Sequence, residues 1–448
     1  MHFFNTYAER YESNVLRRGN MAVKRIDDKI ISDSVKYSVD KITEIVKKVG
    51  PRESGSKEAK DAQKILEKEL EKFADEIHYE SYEMAPKAFL HFTKGVSAAV
   101  GASILGAGAI KYGLKPKSKA GKTLPHALIA GVDLVSLGIT AGEFLFYREL
   151  LDKFYPKADG SNMIAVRKAK GETKKRIIIS GHIDTAYEWR HIYYGKGKLM
   201  GPFMGTSIVT AIISAVLSST SAVLSASGKK NKIAEFISDT AFPVHALTLV
   251  GMVLLNRFIN FNILSPGAND NLTGTLAAVC ALKMLDEMDL KFENTEVVCM
   301  ITDGEEAGLR GAKAYAKAHH DELTDPNVET VVLCVDTLTD LKDLNVYNKD
   351  MTGTVKLDQE LCSIVREAAA EMGHDNLKYA NVFFGSSDAA AYAQAGVRAA
   401  TLAAMDPAPA DYYHNRRDSY DRLVPETIKA GYEIILNTII KFAGEDKD

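Results

Sequence analysis

The chain has 448 residues, 46% of them apolar, and a formal net charge of -3. That is enough to bury a large core, and too little basic charge for a nucleic-acid-binding face, so no nucleic-acid partner is expected. Its four cysteines, Cys280, Cys299, Cys334 and Cys362, lie in separate apolar stretches without C-x-x-C spacing, which argues against a zinc ribbon or a disulfide framework and reads as core thiols in a reducing compartment.

In chain order, the opening MHFFNTYAERYESNVLRRGN holds no apolar run behind a basic start. No secretory signal is read there, and a cytoplasmic location is expected, with membrane association as a further option. Residues 34–77 read as two helices, VDKITEIVKKV and AKDAQKILEKELEKFADEI, parted by the breaker-rich GPRESGS; IHYESYEM then alternates like a strand. From residue 160 strands and helices take turns: NMIAVRK, KRIIISG, helical TGTLAAVCALKMLDEM, TEVVCMITD, helical EEAGLRGAKAYAKAHH, ETVVLCVDT, helical EAAAEMG and RAATLAAM. Strands continuous in Val, Ile and Leu, alternating with helices, predict an α/β fold with a mixed, mostly parallel central sheet covered by helices on both faces. The last helix, ETIKAGYEIILNTIIKFAG, has Pro425 in its first turn and Gly444 at its end.

Two segments interrupt that plan. Residues 87–156 and 191–262 each carry a pair of long apolar runs rich in Gly, Ala and Ser, and they are expected to form helical hairpins inserted into a domain made of residues 30–86, 157–190 and 263–448. The run from Gly201 to Ser227 is uncharged and long enough to cross a ~30 Å hydrocarbon layer. The other runs are shorter or hold Asp133, Pro243 and His245. Two readings stand side by side: membrane contact through residues 87–150 and 191–262, or a soluble all-helical cap buried against protein. The basic tips KYGLKPKSKAGK and GKKNK suit anionic headgroups and solvent equally.

Polar residues that appear where a buried strand ends carry the chemistry, because ligands in open parallel sheets bind beyond the carboxyl ends of the strands. Five places qualify: His182 with Asp184, Asp270 in SPGANDNLTG, Glu305 with Glu306, Asp336 after VVLCV, and His414 in DYYHNRRDSYD. Taken singly each is an ordinary cap or turn former. Taken together they are an N/O ligand set suited to Zn²⁺ or a similar divalent ion. Their number fits two ions better than one. Asp270 shared between both, His182 and Asp336 on one and Glu306 and His414 on the other leaves an open position on each. Asp184 is then left to orient His182, and Glu305 to move a proton.

The order His-x-Asp, GANDN-x-[ST]-G, Glu-Glu, Asp, and Tyr-His with a following Asp resembles the M28 family of co-catalytic zinc peptidases over roughly residues 34–86, 157–190 and 263–448. The resemblance implies a zinc-exopeptidase-like sheet and two divalent metal ions, Zn²⁺ foremost. It implies His182, Asp270, Glu306, Asp336 and His414 as metal ligands. Glu305 becomes the general base and acid, Asp184 the orienting carboxylate, and Tyr413 either an oxyanion donor or a packed aromatic. The expected activity is a metal-dependent exopeptidase, foremost an aminopeptidase cutting short peptides with a metal-activated water. The alternatives are a related amidohydrolase or aminoacyl cyclase, and a catalytically silent membrane-associated receptor or scaffold. His182 and Asp270 are 88 positions apart, a departure from the family that implies a cap or gate near the site. Ser386, Ser387 and Asp388 are further pocket candidates, Asp388 equally a helix cap.

Overall fold

A computed structural model describes residues 26–444 apart from 196, 229–231, 352, 383, 384 and 409; the amino-terminal stretch read for a signal lies outside them. The chain divides into two compact units. One comprises the described residues up to Met84 with Ala158–Ala186 and Leu264 onward; the other comprises Ala85–Lys157 and Tyr187–Ile263.

The first unit is built on a mixed sheet. Its strands are β1 (Glu76–Met84), β2 (Ala158–Arg167), β3 (Lys175–His182), β6 (Thr295–Thr302), β7 (Glu329–Leu338), β8 (Leu344–Asp350), β9 (Val355–Lys356), β10 (Lys378–Asn381) and β11 (Arg398–Ala404). They run in the order β1-β2-β6-β3-β7-β11-β8-β10, with β9 beside β8. The central four, β6, β3, β7 and β11, are mutually parallel, so their carboxyl ends open on one edge. The short strands β8, β9 and β10 escaped the sequence reading, because LNVYNKD and KYAN lack the continuous apolar run of a doubly covered strand.

Side-chain alternation explains the two covered faces. Ile177, Ile179, Val297, Cys299, Ile301, Val331, Leu333 and Val335 join one core with the helices Asp28–Lys48, Lys57–Leu70, Leu272–Glu287, Gln359–Glu371 and Pro425–Ala443. Ile178, Val298, Met300 and Val332 are equally buried but point the other way. The helices Arg310–Ala318 and Asp388–Gln394 pack together. The first two helices start on side-chain caps: Asp27 accepts from the Lys29 amide and Ser56 from the Ala59 amide, each worth about 1 kcal/mol.

The second unit is a bundle of four long helices, Ala88–Gly108, Lys119–Thr140, Met200–Ser227 and Lys232–Phe258. The first two run on through π-helical turns to Leu114 and Leu145. A two-stranded ribbon, β4 (Tyr187–Trp189) with β5 (Ile259–Leu264), closes the second hairpin at its base. Small apolar contacts are made by Phe92, Val96, Val100 and Met252. The bundle's interior is otherwise notable for Ser103, His126, Asp133, Ser214, Ser218, Ser221 and His245, all buried.

Candidate metal centre

The open edge of the parallel strands is where the chain delivers its polar residues. His182 is the last residue of β3. Gly181 before it passes so close to the next helix that a Cβ there would lie 2.5 Å from the Gly274 carbonyl carbon and the Thr275 nitrogen. No other residue fits this approach, and Thr275 Oγ1 then donates to the His182 carbonyl at 2.7 Å.

Asp270 ends the turn that leads into the helix Leu272–Glu287. The cap of that helix is Asn271, whose Oδ1 accepts from the Gly274 amide, and not Asp270, whose side chain is left for the site. Asp418 holds the turn from beneath: its carboxylate accepts from the amides of Asn269 (2.8 Å) and Asp270 (3.0 Å) and from Asn269 Nδ2 (2.8 Å).

Asp336 lies within β7 and not after it. The register to β11 slips between Ala403 and Ala404, opposite Asp336 and Leu338, which leaves Thr337 as an extra residue at φ 57°. Such a bulge re-aims the neighbouring side chain. His414 is also left-handed, at φ 47°, a conformation uncommon for non-glycine residues but one that Asn, Asp and His adopt more often than the rest.

These five residues and Glu305 meet in one place. His182 Nε2 lies 3.4 Å from Asp270 Oδ1, 3.9 Å from Glu305 Oε2 and 4.0 Å from Asp336 Oδ1. His414 Nε2 lies 3.0 Å from the other Asp270 oxygen, Oδ2, and 3.3 Å from Glu306 Oε1. The two oxygens of one carboxylate thus face two different imidazoles. Donor atoms group as His182, Glu305 and Asp336 and as Asp270, Glu306 and His414, each set within 4.8 Å. Tetrahedral Zn²⁺ with bonds of about 2.0–2.2 Å needs ligand atoms roughly 3.3–3.6 Å apart, and the separations found, 3.0–4.0 Å, bracket that distance. The buried Glu306 Oε1 is aligned for a hydrogen bond with none of the described groups, as expected of an atom reserved for a cation. The donor set fits a divalent metal.

The structure revises the part expected of Asp184. His182 Nδ1 is nearer to the main-chain oxygen of Asp184 (3.2 Å) than to its carboxylate (3.5 Å). The carboxylate instead accepts from the Glu305 amide (3.2 Å), the Glu306 amide (3.1 Å) and Ser54 Oγ (2.6 Å). It therefore positions the glutamate pair as well as the histidine. Asp388 is corrected too: it is the first residue of its helix, Ser387 holds the cap position, and Asp388 Oδ2 accepts from Thr302 Oγ1 at 2.6 Å. The ring of Tyr413 stacks on His414 with centroids 3.8 Å apart.

Crowded carboxylates titrate abnormally. Burial raises Glu305 well above the usual range against the pull of His182, with Glu306 and Asp336 adding to the rise. Burial and then Asp270 raise Glu306, and the same two causes bring Asp336 up to about 7. Asp270 goes the other way: burial is outweighed by its hydrogen bonds to His182 and His414, which hold it below the ordinary carboxylate range. Positive charge supplied at this spot relieves the whole group.

Arg52 was not foreseen as a site residue. Its fully buried guanidinium donates to four carbonyls: Ile183 (2.6 Å), Gly50 (3.0 Å), Pro266 (2.9 Å) and Gly267 (2.9 Å). It ties the turn after β3 to the turn before Asp270, so two candidate ligands distant in sequence share one clamp. Burial lowers its pKa to about 10, opposed by Asp418, Asp184 and Asp270. Its only sequence signal is an arginine inside a Pro/Gly turn, together with the family likeness of that turn. Asp303, whose carboxylate accepts from the Gly55 amide, is a second unforeseen support.

The sequence profile of Peptidase family M28 matches residues 251–439. Among solved structures the chain is similar to an aminopeptidase from Aneurinibacillus sp. strain AM-1, at 14% identity and TM-score 0.50 over 94% of this chain and 95% of that one. It is similar to a glutaminyl cyclase from Fimbriiglobus ruber, at 12% and 0.51 over 92% and 95%. A zinc aminopeptidase from Bacillus subtilis follows at 14% and 0.50, over 90% and 94%. No curated protein matches the sequence. These likenesses establish the zinc-exopeptidase type of fold.

Proposed function

We propose that the chain is an aminopeptidase using two divalent metal ions, zinc foremost, on short peptides. The observation that carries this reading is the Asp270 carboxylate, whose oxygens point at His182 on one side and His414 on the other. His182 and Asp336 would hold one ion and Glu306 and His414 the other, with Asp270 available to both. When bound, such a pair polarises a peptide carbonyl and makes water a better nucleophile.

Glu305 is the proton carrier. Its main chain is fixed by Asp184 and its carboxylate lies beside the ligand group, a placement suited to taking a proton from the attacking water and returning it to the leaving amine. Tyr413, stacked on His414, supports that ligand through packing and offers a hydroxyl for the oxyanion.

An aminoacyl cyclase is the competing reading, since the same fold serves glutaminyl cyclases. One assay separates them. Unblocked, N-acylated and N-terminal glutaminyl peptides are incubated with and without chelator. Chelator-sensitive release of free amino acids from unblocked peptides alone supports the aminopeptidase. Cyclised product without hydrolysis overturns it.

A further inference from the structure

We propose that the second unit, residues 85–157 and 187–263, is a membrane-spanning four-helix bundle of inverted polarity whose outer faces are covered by bilayer hydrocarbon. The proposal is independent of the peptidase reading.

Length comes first. The four helical stretches are 27, 27, 31 and 27 residues long; at ~1.5 Å per residue each reaches about 40 Å, more than the ~30 Å hydrocarbon layer. Length alone suits a soluble bundle as well. Polarity decides between them.

A soluble bundle turns its apolar stripe inward and its polar residues to water. This one does the opposite. Only 22–39% of the most apolar window of each helix is buried within the protein. Val209, Ile212, Val216 and Val250 are 55, 48, 60 and 54% exposed. The ionisable and hydroxyl side chains are inside. Asp133 Oδ1 accepts from His245 Nδ1 at 2.8 Å, and Asp133 Oδ2 accepts from Ser214 (2.7 Å) and Ser218 (2.9 Å). Ser103 Oγ lies 2.7 Å from His245 Nε2. All four helices contribute to this one network, and each contributes from near its midpoint. A second layer joins His126, Ser221 and Ser238 at 2.8 and 2.9 Å. Hydrogen bonds between small-residue helices hold bundles together where lipid offers no hydrophobic drive, and ionisable residues at that depth face inward and pair.

The ends complete the picture. Thr123 meets Ser225 and Lys111 meets Asp239 at one end, while Thr93 and Ser97 meet Asn256 at the other. Both hairpin tips therefore share an end. They carry Lys111, Lys115, Lys117, Lys119 and Lys122 on one hairpin and Lys232 on the other, a charge complement to anionic headgroups. Each hairpin crosses twice, so the chain returns to the side it left.

Fractionation of the full chain tests this. The parent is expected in the carbonate-washed membrane pellet and released only by detergent. The triple variant Ile212→Lys, Val216→Lys, Val250→Lys is expected to lower the pellet-to-soluble ratio at least about tenfold, because lysine at mid-span opposes insertion. On a water-facing surface the same changes are neutral. A parent that is monodisperse without detergent overturns the proposal; if it is then a dimer, a second copy covers the apolar faces. Topology gives an independent readout. In sealed vesicles, single cysteines Lys117→Cys at a tip and Lys157→Cys at a root are probed with an impermeant maleimide, the native cysteines being buried. One is expected to react before permeabilisation and the other only after it. Identical behaviour of the two sites overturns the proposal.

Discussion

The two units bury charge for opposite reasons. In the first, the buried carboxylates outnumber their partners: Glu305, Glu306 and Asp336 are all pushed upward by burial and by neighbouring carboxylates. In the second, the buried pair is closed, Asp133 and His245 being satisfied by each other and by three serines. An open set of charges is a place for something to bind. A closed set is a fastener. The contrast teaches that buried polarity marks function only when the local balance is left incomplete.

The sharpest way to break the contrast is to alter the open set. Glu305→Gln is expected to lower peptide hydrolysis by about 10²–10⁴-fold with bound metal retained, the contribution of a positioned proton carrier; activity within tenfold of the parent, measured by amino-acid release, removes Glu305 from its role. Next comes the shared carboxylate. Asp270→Asn is expected to at least halve the bound metal, since in the proposed arrangement this carboxylate would serve both ions; elemental analysis showing two ions per chain would refute the bridging arrangement.

Smaller effects sharpen the support beneath the site. Arg52→Leu leaves four buried carbonyls without their donor and is expected to cost about 3–5 kcal/mol in chemical denaturation, the range for breaking a buried charged network; a loss under about 1 kcal/mol would mean that water replaces the guanidinium. In the closed set, Asp133→Asn keeps the shape and removes the charge. About 1–2 kcal/mol is expected, as for hydrogen bonds between helices in lipid, with peptidase activity per folded molecule unchanged. A loss of activity equal to that of Glu305→Gln would abolish the distinction between the units.

Much of the site was legible because its members obey one rule: a polar residue where an apolar strand stops. His182 after RIIIS and Glu305 after VVCMIT stand out against such runs. Arg52 and Asp418 did not, since each sits in a charged, turn-rich stretch where neither periodicity nor a strand end singles it out, and their importance lies in partners more than a hundred residues away. Asp184 was recognised but its principal contacts were not, because they run to the backbone amides of residues far along the chain. The strands β8 and β10 were missed because LNVYNKD and KYAN carry no continuous apolar run; β8 is largely buried between β11 and β10, and β10 is exposed at the sheet edge.

For the inserted helices, hydropathy established apolar stretches of spanning length and could go no further, because a count of residues is blind to which face of a helix turns inward. By itself the sequence determined the alternation of strand and helix, the ligand types and their order, since these depend on local periodicity and side-chain chemistry. Only the tertiary structure decided that one carboxylate stands between two imidazoles, that an arginine clamps both turns, and that Asp133 and His245 point at each other. Those are relations between atoms far apart along the chain, and only packing brings them within reach.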